Sequence, residues 1–593
     1  MRLRRHIPFF ILIIALLFWG LPIYANNENS QKIYGTDSYV YIIIRDLTIE
    51  QGIGAPSSAG PWSGAELLNM LSRINPNSLS LSSKDLYNWI KEQLSVPEAD
   101  FLTTNFGYTA GIEVTGETYL HTNTGEHYDE EDEWIDGYNK REPLLSIPFE
   151  FWGTDLFYGT LDLTLRNNRF FVDTNSTSEF FKPSITTNLI FYRSASNTDL
   201  SFPRKAFLSA GDMNWNFQFG RDKISWGNGI SGNLLVGDHL IYHEFFKFTT
   251  FYEPFKYTFL AISFPHPDLY QKPPNSLEED WSATKRSITS IRTFIAHRFE
   301  FQITPPLRLS LTEGIMYQGE TYDFRFFSPF VILHNYYMKE NSNSILGIEL
   351  DYTPLPSFLI HGQLVVDDLA IGVEKSSGPT ASPNAWGALA SLHYTKSIKS
   401  GMFHIGLEGV YTTPYLYLRN SRVYDFIDLA DNPNSTEILD QNAQPINFVV
   451  GYPQYTQLVG NVVKKEFLGY SYGGDAIVLN LAASYIKPNL WEVHSSIFWM
   501  MHGTYDVDTL YKLGDGPVSA QTPTDQSFPP SYTTDKNSVE TTWISSIGGS
   551  YYITSNLKFS SDLGWVTRWN SGNIAASTPE SDLQCSVGIS LML

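Results

Sequence analysis

From about residue 106 to its last residue the chain keeps an apolar and polar period of two. In SILGIELDY, residues 344 to 352, one face carries Leu346, Ile348, Leu350 and Tyr352, and the other Ile345, Gly347, Glu349 and Asp351. That is the alternation of a strand between two solvents. SFLIHGQLVVDD, 357 to 368, repeats it, with Phe358, Ile360, Leu364 and Val366 opposite His361, Gln363 and Asp367. Further on, Leu557, Phe559, Leu563, Trp565 and Trp569 alternate with Lys558, Asp562 and Arg568. Arg292, Arg298, Glu300 and Gln302 alternate in the same way with Thr293, Ile295, Phe299 and Ile303. Similar segments recur throughout, on the order of 16 to 20 strands of about ten residues, the length that crosses a bilayer at a tilt.

Strands with one apolar and one charged face are what lipid outside and water inside select. In lipid every backbone N–H and C=O must pair within the protein, so the sheet must close. The pattern therefore predicts an all-β fold, a transmembrane antiparallel β-barrel. Val587, Ile589, Leu591 and Leu593 alternate to the terminus, as a last strand sealing against the first would. A soluble sandwich or propeller is the competing fold, but no blade-length repeat is visible. Short connections such as GTD (153 to 155) and TPLPS (353 to 357) suit periplasmic turns. The long polar stretches 121 to 145, 167 to 183, 267 to 290, 412 to 445 and 503 to 540 suit outer loops.

Ahead of the barrel the period is helical. PWSGAELLNMLSRI places Leu67, Met70, Leu71 and Ile74 on one face behind the capping pair Ser63 and Glu66. A second helix is expected from near Ser82 and Asp85, with Leu86, Trp89, Ile90 and Leu94 on one side and Pro97 after it. These helices are too short to stand alone, so residues 46 to 100 are expected to obstruct the lumen.

The first residues add a compartment. Arg2, Arg4 and Arg5 precede an apolar run, Ile7 to Ile23, and IYANN offers cleavage after Ala25. The expected organisation is a signal peptide at 1–25, an N-terminal periplasmic segment with a short helical bundle at 26–100, and an outer-membrane barrel at 101–593. Composition agrees: charged residues are 17% and aromatics 15%, against about 25% charged in ordinary soluble domains. Mean hydropathy is −0.18, and beyond the N-terminus no apolar run is long enough for a spanning helix. With only Cys585, no intrachain disulfide is available. A net charge of −22 disfavours general affinity for nucleic acid or anionic surfaces.

Four features are better explained without catalysis or a bound metal. WGNGISG, 226 to 232, spells G-x-G-x-x-G with Glu244 downstream. A dinucleotide site needs a buried strand before the glycines and a helix after them. NWNFQFGRDKISW alternates instead, and Gly237 and Asp238 interrupt any helix, so no nucleotide is expected. GYSYG, 469 to 473, puts Ser471 in a G-x-S-x-G match, but the following DAIVLNLAASYI reads as a strand where an esterase elbow needs a helix. His239 and His243 lack the remainder of a zinc motif. The acidic run EHYDEEDEWID, 126 to 136, lacks the spacing of a calcium loop. No cofactor and no metal are expected.

What the glycine segment does offer is a set of groups suited to sugar. Trp215, Trp226 and Tyr242 supply flat apolar faces; Arg221, Asn228, Asp238 and His239 supply planar polar partners for hydroxyls. An aromatic girdle with lumen polar residues is the equally plain reading of the same inventory.

FGRDKISWGNGISGNLLVGD, 219 to 238, resembles the G-R-x-x-x-x-W-G-x-G core of the Wzi-type capsule assembly outer-membrane proteins. RDLTIEQGIGAPSSAGPWSGAELLNML (45 to 71) is similar to that family's N-terminal helical segment, and FFSPFVILHNYY (326 to 337) to its mid-barrel element. Arg221, Trp226, Gly227 and Gly229 match the motif residue by residue. The resemblance implies a barrel of about 18 strands with a helical bundle at its periplasmic side. It also implies a monomeric, non-enzymatic surface lectin that holds surface or capsular polysaccharide. An outer-membrane channel is the alternative, and a barrel hydrolase using Ser471 a third.

Overall fold

A computed structural model describes residues 30–95, 99–103, 106–123, 140–167, 187–189, 198–199, 203–265, 291–319, 322, 342–369, 384–418, 446–456, 460–507 and 537–593. Its wall is a closed antiparallel barrel of 18 strands. The first six are β1 (Glu113–His121), β2 (Leu145–Gly153), β3 (Phe157–Asn167), β4 (Lys205–Asp212), β5 (Trp215–Asp222) and β6 (His243–Tyr252). Then come β7 (Phe255–Pro265), β8 (Ile291–Thr304), β9 (Leu307–Gly319), β10 (Ser342–Leu355), β11 (Phe358–Asp368) and β12 (Ala385–Ile398). The last are β13 (Gly401–Thr412), β14 (Ala476–Lys487), β15 (Trp491–His502), β16 (Glu540–Thr554), β17 (Leu557–Trp569) and β18 (Glu580–Met592). Each strand pairs with the next in sequence. β18 then returns to β1 with Gln584 opposite His121 and Met592 opposite Glu113, and Leu593 N–H bonds Ile112 O at 2.8 Å. No edge is left, as lipid requires.

The two faces of the wall meet different surroundings. On β10, Leu346, Leu350 and Tyr352 are exposed outward while Glu349 and Asp351 are buried inward. On β17 and β18, Phe559, Leu563, Trp565, Leu583, Val587 and Ile589 are likewise exposed outward. Such a row of exposed large apolar side chains is an unfavourable surface for water and a favourable one for hydrocarbon. Over β7 to β9 the outward side chains Tyr257, Phe259, Ile295, Ile315 and Tyr317 form a buried cluster instead. Among the described residues no helix is long and apolar enough to cross a membrane.

Tight hairpins join β2 to β3, β4 to β5, β6 to β7, β8 to β9, β10 to β11, β12 to β13, β14 to β15 and β16 to β17, all at one end. The long connections leave from the other end. The mid-barrel element 326 to 337 and the acidic run 126 to 136 lie outside the described residues.

Residues 30 to 94 enter the barrel from the short-turn end. Three helices, α1 (Tyr39–Gln51), α2 (Gly64–Ser72) and α3 (Leu81–Leu94), share one apolar cluster that includes Ile43, Ile44, Leu47, Leu67, Leu71, Leu86, Ile90 and, from the wall, Met402 on β13. The Ser63 hydroxyl caps α2 by accepting Glu66 N–H at 3.2 Å. Ser80, two residues before the expected start, caps α3 by accepting Ser83 N–H at 3.1 Å. α1 ends at Gly52, whose φ of 77° closes the helix in the left-handed region.

The long-loop half of the lumen holds a second apolar core. Inward residues Leu260, Phe294, Met316, Ile345, Val365, Leu389, Val410, Val478 and Phe498 surround Leu234, Leu235, Val236, Leu240 and Ile241 from the β5–β6 connection. Phe448, Val449, Phe467 and Leu468, on a hairpin between β13 and β14, complete it. The lumen is therefore not uniformly aqueous, as the simple two-solvent pattern implies, because the chain folds three of its own segments into it.

Candidate functional site

The glycine segment turns inward. After β5, Ser225 and Trp226 pair with Gly60 and Ala59 of the N-terminal segment, and the backbone then runs against the inner wall. Asn228 N–H donates to His361 Nε2 at 3.3 Å, and its side-chain amide to Asp351 Oδ1 at 3.2 Å. Glu408 on β13 accepts Ile230 N–H at 2.6 Å and Ser231 N–H at 2.8 Å, and also the Ser231 hydroxyl. Gln363 accepts Leu234 N–H at 2.8 Å. Tyr417 donates its hydroxyl to Leu234 O, and Gly237 N–H donates to Leu468 O at 3.0 Å.

The close approach explains the glycines. Gly227 has φ 132°, and a Cβ there would collide with the side chains of Gln363 and Asn233. Gly232 has φ 133°. Both positions lie in the region that penalises any larger residue. No phosphate cradle and no following helix are present in this described segment.

The seven residues expected to meet a glycan are dispersed. Trp215 opens β5 at the short-turn end and points outward, 41% exposed. Arg221 faces outward at the other end of β5, about 20 Å away at strand rise. Its guanidinium lies over the Tyr242 ring at 4.0 Å, donates to Pro203 O at 2.9 Å and pairs with Glu244. Burial raises the Tyr242 hydroxyl above its ordinary pKa, against the lowering effect of Arg221. Trp226 is 1% exposed, with Arg298 5.7 Å from its ring. Asn228 is buried at the inner wall. Asp238 and His239 lie just after the inward turn, where the His239 ring contacts Phe467 O at 2.9 Å. Arg221, Asp238, His239 and Tyr242 thus gather towards the long-loop end. Trp226 and Asn228 are inside, and Trp215 is at the opposite rim. His243 stands on β6 facing inward, not on a helix with His239. Ser471 sits in a turn before β14, with no nucleophile elbow.

A buried ionic ladder, invisible in the period-two pattern, fixes the N-terminal segment below this loop. Lys256 on β7 reaches Glu66, Ser57 Oγ at 2.8 Å and Ala59 O at 3.3 Å. Glu300 accepts from Ser57 at 2.8 Å and pairs with Arg298 and Arg308, each at 3.2 Å. Arg298 also pairs with Glu349 at 3.1 Å. On α1, burial opposes ionisation of Asp46, but Arg45 at 2.9 Å and His404 at 3.3 Å hold its pKa below the usual carboxylate range. Arg73, after α2, is lowered to about 10 by burial and by Arg308.

One stretch of inner wall is less filled. Across β15 to β17, Ser496, Ser546, Ser550 and Ser560 face inward with the pair His494 and Asp562, 2.7 Å apart, whose side chains are 47% and 27% exposed.

No protein-family model matches the chain, and no curated protein sequence matches it. Among solved structures, the chain is similar to Wzi, an outer membrane protein involved in group 1 capsule assembly in Escherichia coli and described as a carbohydrate-binding β-barrel. The TM-score is 0.52 at 14% identity, over 94% of this chain and 99% of that one. Pseudomonas aeruginosa OccD3 (OpdP) matches at TM-score 0.36 and 9% identity over 85% of this chain and 96% of that one. The Acinetobacter baumannii outer membrane channel DcaP matches at 0.32 and 9%, over 84% and 100%. What this chain shares with Wzi is the fold, that of an outer-membrane β-barrel.

Proposed function

We propose that this protein is a non-enzymatic outer-membrane barrel that binds or anchors surface or capsular polysaccharide at its long-loop end. The observation that carries this reading is the filled lumen. Residues 30 to 94 and the segment 223 to 242 are hydrogen-bonded and ion-paired to inward groups from β2 to β15, from Lys32–Glu150 at 2.9 Å to Tyr39–Glu492. A barrel occupied in this way exchanges little through its centre and presents its outer loops for binding. Wzi, whose fold it shares, is described as carbohydrate binding. At that end the partly exposed Arg221 guanidinium, seated on buried Tyr242, and the exposed Glu244 carboxylate offer a donor and an acceptor for sugar hydroxyls.

A channel is the second reading, favoured by the partly exposed serines and the His494–Asp562 pair along β15 to β17. Three measurements separate the two. Purified protein in detergent should retain polysaccharide from the producing cell's own surface in co-sedimentation, and Arg221→Ala with Tyr242→Ala should weaken that at least tenfold. Planar-bilayer recordings should show little steady current. A deletion strain should release its surface glycan. Normal glycan retention together with a large steady conductance would replace the lectin reading with the channel.

A further inference from the structure

Glu349 and Asp351 share the inward face of β10, and His361 stands directly opposite Asp351 on β11. All three are buried, and one donor atom from each lies within 4.8 Å of the others. Asp351 is 1% exposed. Its Oδ1 accepts His361 Nδ1–H at 2.8 Å and the Asn228 amide at 3.2 Å, whereas Oδ2 has no hydrogen-bond partner among the described residues.

The histidine's proton can be placed. Gln363 is oriented by two bonds, its oxygen accepting Leu234 N–H at 2.8 Å and its amide nitrogen donating to Asn233 Oδ1 at 2.7 Å. The same nitrogen faces His361 Nε2 at 3.1 Å, and Asn228 N–H points to that atom at 3.3 Å. With two donors aimed at it, Nε2 must be the acceptor, so the ring is neutral and carries its proton on Nδ1. It supplies no counter-charge to Asp351, and neither nitrogen has a free lone pair for a metal.

The surrounding guanidinium groups already have carboxylate partners, one of them Glu349 itself. Arg298 is shared by Glu300 and Glu349, Arg308 pairs with Glu300, and Arg45 pairs with Asp46. A fully buried carboxylate without a matching charge is strongly disfavoured and takes up either a proton or a cation.

We propose that Asp351, Glu349 and the side-chain oxygen of Asn228 bind a hard divalent cation of the calcium class, with His361 orienting Asp351 from behind. The donors are oxygens: Asp351 Oδ2; a Glu349 oxygen, which the cation would share with the Ser58 hydroxyl at 2.5 Å or with Arg298 at 3.1 Å; and Asn228 Oδ1, which receives a long 3.4 Å contact from the Tyr41 hydroxyl. An all-oxygen set selects calcium over zinc, which prefers imidazole and thiolate. Calcium's loose geometry lets waters complete the shell where magnesium demands an octahedron. Asn228 belongs to the inward glycine segment, so the cation ties that segment to β10 from the inside. The assignment does not depend on the glycan reading.

The test uses the full-length protein, purified in detergent and stripped with a chelator. Equilibrium dialysis against calcium chloride should restore about one tightly held ion per chain, and calcium should raise the unfolding temperature. Asp351→Asn should abolish both effects, and His361→Gln should weaken binding roughly tenfold or more. Glu349→Gln serves as the second variant should Asp351→Asn not fold, and unchanged heat-modifiable migration certifies either barrel. The acidic run 126 to 136 is intact in every variant, so the difference between wild type and variant reports the buried site alone. The proposal is overturned by wild-type protein that holds no more calcium than Asp351→Asn, or by a tight ion that is zinc and depends on His361.

Discussion

Glu408, on the inner face of β13, accepts the backbone N–H of Ile230 at 2.6 Å, across the lumen from where Ile230's own strand leaves the wall. The neighbouring N–H of Ser231 and its hydroxyl complete the grip. One carboxylate thereby satisfies three donors of a half-buried turn. Glu408→Ala leaves the two N–H groups without this partner, each costing up to about 1–3 kcal/mol, while the Ser231 hydroxyl keeps Tyr470 at 2.9 Å. The expected outcome is a folded barrel with a lower unfolding temperature and brief current openings in planar bilayers where wild type is quiet. Silent recordings with unchanged thermal stability would show that this turn is held by other contacts.

Lys256 tests the ionic ladder. Its ammonium is 4% exposed and its partner Glu66 3%, so removing one charge strands the other in a dry site. Lys256→Met is expected to cost about 3–5 kcal/mol, and Lys256→Met with Glu66→Met much less, because an apolar pair has no desolvation penalty to offset. Denaturant unfolding of both, completed as a double-mutant cycle, checks this. Equal losses in the single and double variants would mean that Glu300, also facing Lys256 at 3.9 Å, holds the charge by itself.

Asp46 predicts a pH dependence. Its folded pKa lies below the ordinary 3.8 because Arg45 and His404 outweigh burial. The stabilisation it provides is therefore complete above about 3.8 and is lost as pH falls through the lower folded value. Between pH 6 and pH 3 the wild-type unfolding temperature should fall more steeply than that of Asp46→Asn. Parallel curves for the two proteins would remove Asp46 from the acid response.

The wall was legible because its rule is local. Leu350 and Glu349 differ in surroundings by the direction of one Cα–Cβ bond, and a period of two records that directly. Strands were harder to see where the rule is broken: β2 carries Pro148 at its centre, β4 is the short KAFLSAGD, and β6 reads HEFFKFTTFY with aromatics on both faces. α1 was hidden for a related reason. YVYIIIRDLTIEQ has a β-branched run and is buried nearly all round between helices and wall, so it shows neither helical propensity nor a clean polar face. The site was less legible still. Trp226 and Arg221 are five residues apart, yet one is sealed in the lumen and the other lies on the outer rim. That separation comes from the turn after β5, which only the distant partners Gln363, Asp351 and Glu408 explain. The glycines of the segment are the one signal the sequence offers, since glycine permits close backbone approach without saying to what.

Leu350 and Glu349 also supply the most direct test of the architecture. Leu350 is 40% exposed on the outer face and Glu349 5% exposed on the inner. In a bilayer, Leu350→Arg places a charge in hydrocarbon near the middle of β10, at a cost of about 2–4 kcal/mol. In a water-soluble barrel the same change would be close to neutral, since a surface arginine is well solvated. Glu349→Leu removes a partner of Arg298 and is expected to destabilise in either setting. Reversible folding into phosphatidylcholine vesicles measures both. The outcome expected is a large penalty for each variant in vesicles. The contrast lies with folding in a soluble amphipathic polymer with short, mobile chains, where the Leu350→Arg penalty should shrink and the Glu349→Leu penalty should not. A Leu350→Arg protein as stable in vesicles as wild type would mean that this face of β10 does not meet lipid.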